Sequence, residues 1–141
     1  MRTLLPQGWK RPKGYANGIE AQGRLVFVAG QIGWNAEEVF ETSSLAGQVR
    51  QALANVMAVI AEADAKPQHI VRMTWYIVDR EEYKANVKEI GAAYREAMGN
   101  HYPTMSLFEV KSLLEDQAKV EIEATAVIPA GGRLRPPGVR D

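Results

Sequence analysis

The chain has 141 residues, 46% hydrophobic and 24% charged, with 17 Lys plus Arg matched by 17 Asp plus Glu for a formal net charge of +0. That is the make-up of one ordinary globular domain, spanning 1–141 and able to bury a core without covalent staples. Neutrality removes the usual electrostatic drive toward nucleic acid or an anionic membrane, and the absence of cysteine excludes a disulfide framework, a thiolate metal site and a cysteine nucleophile.

Residues 1–14 read as an irregular, basic N-terminus with Trp9 as its only large anchor. They are too short and too broken by Pro and Gly for a signal peptide, and no apolar run reaches membrane-spanning length, so a cytoplasmic location is expected. "GIEAQGRLVFVAGQI" predicts two strands joined around Gln22-Gly23, the second of them, Leu25 to Ile32, apolar on both faces. A first helix follows from Leu45, Val49, Leu53, Val56 and Ile60, with Gln48, Gln51, Asn55 and Glu62 marking its wetter side. Thr42 or Ser43 is its expected cap, and Pro67 forbids continuation.

"IVRMTWYIV" predicts a strand with apolar side chains toward both faces. "DREE" then supplies a capping box, Asp79 to Glu82, for a second helix with Tyr83, Val87, Ile90, Tyr94 and Met98 on one stripe and Gly99-Asn100 at its end. "TMSLFEVKS" and "VEIEATAVI" are the final strands, and the Pro/Gly/Arg-rich stretch 129–141 is a second irregular terminus. In the last strand Val120, Ile122, Ala124 and Ala126 share one face, which puts Glu121 and Glu123 together on the other.

The order β-β-α-β-α-β-β implies an α+β domain, with right-handed crossovers that place both helices on one face of a mixed sheet. The other face is also apolar in places and needs a cover, for which a second copy of the chain is the simplest candidate. An oligomer is therefore expected.

Few residues carry chemistry. His69 and His101 lie on separate connections, so no metal site is expected, and no cofactor is implied. Gly30, Gly33, Gly131 and Gly132 fit no phosphate-loop spacing, and no serine sits in a nucleophile elbow. Glu121 has two readings: solvated or paired with Arg72 like most carboxylates, or partly buried at an interface and handling a water proton. Trp34 and Tyr15, on loops near strand ends, are better pocket candidates than Trp75, whose strand position favours packing. Lys88 borders the apolar stripe of the second helix, either solvated or facing an anionic ligand.

Taken in order, "LVFVAGQIGW", "GQVRQALANVMAVIAEADAKPQHIVRMTWYIVD", "YPTMSLFEV" and "VEIEATAVI" resemble the RidA (YjgF/YER057c/UK114) family over nearly the whole chain. The resemblance implies a chorismate-mutase-like subunit, a homotrimer, and a small-molecule cleft at each subunit interface. It also implies hydrolysis of reactive enamines and imines to keto acids and ammonia. Residue by residue, Glu121 matches the glutamate that handles the attacking water. Gly30 and Gln31 match the strand end lining the cleft, and Tyr15 matches a tyrosine closing over the ligand.

Two positions depart from the family pattern. Met105 stands where an arginine, two residues after the proline, clamps the substrate carboxylate, and Lys88 stands where a pocket asparagine is usual. Methionine cannot replace a bidentate guanidinium, whereas Met105 with Trp34 would make an adaptable apolar wall for a larger substrate. Two functions follow: an enamine/imine deaminase with a non-standard substrate, or a trimeric metabolite- or partner-binding module without catalysis. The ribonuclease label attached to the family finds no basic stripe interleaved with aromatics here.

Overall fold

The computed structural model describes residues 1–129. The tail arginines Arg133, Arg135 and Arg140 lie outside the described residues. Six strands are present: β1 (Arg2–Leu4), β2 (Gly18–Glu20), β3 (Gly23–Ile32), β4 (Ile70–Ile77), β5 (Thr104–Glu109) and β6 (Val120–Pro129). Three α-helices join them: α1 (Leu45–Ala61), α2 (Arg80–Ala85) and α3 (Val87–Met98). The main sheet has the order β3-β6-β4-β5; β6 runs antiparallel to both neighbours, while β4 and β5 are parallel.

The N-terminus departs from expectation. Arg2–Leu4 is extended and pairs antiparallel with Gly18–Glu20, so β2 belongs to a separate two-stranded sheet instead of a hairpin with β3. An Arg2–Glu20 ion pair of 2.7 Å reinforces it, a contact that a pattern scan of 1–14 does not register.

The helices cover one face of the main sheet. Val49, Leu53 and Val56 of α1 and Ile90, Ala93 and Met98 of α3 form one buried cluster with Met73, Trp75 and Ile77 of β4 and Val120, Ile122 and Ala124 of β6. The alternation read in "VEIEATAVI" is thus real: Val120 and Ile122 are fully buried, and Glu121 and Glu123 lie on the opposite, half-exposed face.

Three local expectations are corrected. The α1 cap is Ser44, whose hydroxyl accepts from the Gly47 N–H at 3.1 Å, while Thr42 accepts from the Ser44 N–H one step earlier. Gln48 is not on a wet side: it is 1% exposed, and its amide donates to the carbonyls of Thr42 and Gln117 and accepts from the Lys119 N–H. The second helix is two, broken at Asn86, whose φ of −124° leaves the helical region. Asp79 does cap α2 through the Glu82 N–H at 3.0 Å, but the Glu82 carboxylate reaches Lys119 and leaves the box half closed. Gly99, at φ +61°, ends α3 as expected, with its N–H on the Arg95 carbonyl.

Candidate functional site

Two sets of candidate residues are brought together, one on each face of the main sheet: Gly30 with Glu121, and Tyr15 with Met105. On the uncovered face, β3 ends beside β6, and Gly30 lies against the Glu121 side chain. A Cβ at Gly30 would sit 2.5 Å from Glu121 Oε1 and 2.7 Å from its carboxyl carbon. Glycine is needed there because the carboxylate occupies the space a side chain would take. Gln31 follows in β3 and turns its amide back onto the Ala29 carbonyl at 3.1 Å. The strand end is held from the helix side, where Asn55 of α1 donates to the carbonyls of Ile32 and Trp34 at 3.0 and 2.8 Å.

Glu123 is not paired with Arg72. Its Oε1 accepts from the Tyr76 hydroxyl at 2.8 Å, and neither glutamate of β6 forms an ion pair with Arg72. That hydrogen bond, with lesser contributions from burial and the nearby negative charge, raises the Tyr76 phenol above its ordinary value. Glu121 has no such partner among the described residues. The two carboxylates of β6 therefore differ: Glu123 is committed to a tyrosine, and Glu121 rests against the Gly30 backbone.

The same uncovered face carries apolar side chains in the open. Phe27 is 73% exposed and Leu25 60%, and Phe108 of β5 is 53% exposed beside Tyr76. Phe27, Arg72, Thr74 and Glu123 line an open concavity of about 460 Å³ on it.

The second group lies on the helix side. Met105 pairs in register with Met73, on the covered face, so its side chain points away from Glu121. A cavity of about 360 Å³ there is lined by Met105, Tyr15, Trp75, Tyr94 and Tyr102, with exposed Lys13 and Arg95 also contributing and no carboxylate on its wall. Tyr94 and Tyr102 stack at 5.3 Å and 14°, and the Tyr94 hydroxyl donates to the His101 carbonyl at 2.6 Å. Burial, followed by the neighbouring Tyr102, holds the Tyr94 phenol far above its ordinary value. Trp75 is 3% exposed, and its indole Nε1 has no hydrogen-bond partner.

The remaining two candidates stand apart. Trp34 packs on Phe40 at 5.8 Å and is not on the Met105 cavity wall, so the two do not form a joint wall within one chain. Lys88 is exposed on the first turn of α3, off the cavity wall that its neighbour Val87 joins. Arg95, on this cavity wall, is not among the sequence candidates, and Trp75 is packed in the core as its strand position suggests. A signal for Arg95 was present: Gly91 precedes it by one helical turn, and a Cβ at Gly91 would sit 3.2 Å from Arg95 Nη1, so the guanidinium folds over the bare backbone. Among the described residues no three His, Asp or Glu side chains are grouped to hold a metal ion.

A four-stranded mixed sheet with helices packed on one face makes this a small α+β protein. A family profile described as Endoribonuclease L-PSP matches residues 9–128. The chain is 32% identical over 116 residues to the 2-iminobutanoate/2-iminopropanoate deaminase of Escherichia coli K12, covering 80% of this chain and 86% of that protein. Its fold superposes on the Rid-family protein YyfB of Yersinia pestis, a protein of unknown function, with a TM-score of 0.79 at 30% identity, covering 90% and 98% of the two chains. Escherichia coli TdcF, solved with bound serine, gives a TM-score of 0.66 at 29% identity, covering 91% and 99%. The chain belongs to the RidA (YjgF/YER057c/UK114) family and has its chorismate-mutase-like fold. No helix among the described residues is long and apolar enough to cross a membrane.

Proposed function

We propose that this protein is a hydrolytic enamine/imine deaminase that works as a homotrimer, its site built between two copies. The observation that carries the reading is the Glu121 carboxylate, held against Gly30 and free of any side-chain partner among the described residues, on a sheet face with exposed phenylalanines. Similarity to a named imine deaminase supports it. The opposite placement of Met105 supports assembly between copies, because one chain cannot bring both groups to one ligand.

In this reading a water oxygen attacks the imine carbon while Glu121 takes its proton and passes it to the nitrogen, giving a carbinolamine. A second transfer moves the hydroxyl proton to the nitrogen as the C–N bond breaks. Ammonia leaves and a carbonyl remains, with one water consumed. Tyr15, Gly30, Gln31 and Trp34 would frame the cleft. Met105 removes the family's clamp from β5, so the substrate is not the standard small imino acid. The ribonuclease wording of the family profile is not carried over, since 17 basic residues are matched by 17 acidic ones.

The test is hydrolysis of 2-iminopropanoate and bulkier imines generated in situ. The wild type should accelerate at least one of them, and Glu121→Gln should lose about 10²- to 10⁴-fold. Met105 favours a second reading, a binding module, which would appear as ligand binding with no acceleration at any enzyme concentration.

A further inference from the structure

The Met105 cavity has cations on its wall and no carboxylate to neutralise them. Arg95 forms no ion pair among the described residues, although its neighbour Glu96 is paired with Arg50 at 2.6 Å. Its exposed guanidinium folds back along the helix, with Nη1 3.2 Å from where a Cβ on Gly91 would stand, and so joins the cavity wall. Arg95 of α3 and Met105 of β5 line the same cavity.

Much of the remaining wall is aromatic, with Val87, Ile90 and Leu107 completing it. Tyr94 stacks on Tyr102 at 5.3 Å, and Trp75 lies 6.3 Å from Tyr94. A volume of about 360 Å³ falls within the roughly 300–1,000 Å³ of sites that enclose drug-sized molecules, more than a three-carbon imine fills.

We propose that Arg95, folded over Gly91, is the carboxylate clamp of this cavity, and that the cavity takes a 2-imino or enamine acid with an aromatic-sized side chain. The guanidinium lost from β5 is thus supplied from α3, and the volume left by methionine admits the ring. Arg95 supplies the planar fork that an ammonium at Lys88 lacks. The proposal rests on the deaminase reading for the reaction, but its binding claim stands independently.

Calorimetric titration of the whole protein with phenylpyruvate, pyruvate and phenylacetone tests it, comparing wild type, Arg95→Gln and Arg95→Lys. Phenylpyruvate should bind more tightly than pyruvate. Arg95→Gln should weaken phenylpyruvate by about tenfold to a hundredfold, Arg95→Lys should restore part of the loss, and phenylacetone, which lacks the carboxylate, should be unaffected. Equal phenylpyruvate affinity in wild type and Arg95→Gln, a preference for pyruvate, or no phenylpyruvate binding would overturn the proposal. Hydrolysis lost in Glu121→Gln but indifferent to Arg95→Gln would sink the clamp alone. Arginine-dependent binding without hydrolysis would sink the deaminase reading alone.

Discussion

Gly30 is the residue on which the proposed chemistry turns. Its Cα hydrogen faces a carboxylate, and alanine would place a carbon 2.5 Å from Glu121 Oε1. The whole outer half of the glutamate side chain would have to swing away. Gly30→Ala is therefore expected to lower imine hydrolysis nearly as far as Glu121→Gln while circular dichroism remains that of the wild type. His69 offers a test of the fold's protonation. Burial first, then the charges of Lys66 and His101, hold its imidazole below the ordinary 6.5, and its neutral Nδ1 accepts from the Lys66 N–H at 2.9 Å. A base depressed in the folded state contributes stability that is present above pH 6.5 and lost as pH falls through the depressed value. Thermal melts from pH 7.5 to 5 should show a fall in Tm that His69→Gln lessens; an unchanged slope would contradict this account.

At the scale of elements, the alternation in "VEIEATAVI" and the stripe of α1 were legible because burial has a period that side-chain chemistry displays. Gln48 was not. An amide reads as wet, yet here it is fully buried because its three hydrogen bonds tie α1 to the loops at Thr42 and at Gln117 to Lys119. Such satisfaction depends on partners up to 71 residues away, which no local pattern reports. Gln48→Met keeps the volume and strands two carbonyls and an N–H, so a loss of about 2–4 kcal/mol in urea unfolding is expected. The break at Asn86 was hidden for a related reason. Its side chain donates to the Glu82 carbonyl at 2.7 Å and ends α2 on the same apolar stripe that α3 continues. Met105 and Glu121 were both singled out as candidates from the sequence, but their placement on opposite faces follows from strand register, which no local pattern reports.

For the whole molecule, the uncovered sheet face is the feature to explain. Exposed Leu25, Phe27 and Phe108 on one face are more than scattered surface apolar residues, and continuous patches of this kind mark contact surfaces. Phe27→Lys is expected to dissociate the proposed trimer to species of 15.6 kDa in sedimentation velocity and to abolish the proposed hydrolysis with it. The most direct test of a site shared between copies is subunit complementation. Glu121→Gln and Met105→Glu, each inactive alone, would be mixed, unfolded and refolded together, and imine hydrolysis measured. If Glu121 of one copy faces the Met105 cavity of the next, random assembly should restore about a quarter of wild-type activity. If the mixture stays as inactive as its parents while assembling normally, the site is not shared and the account fails.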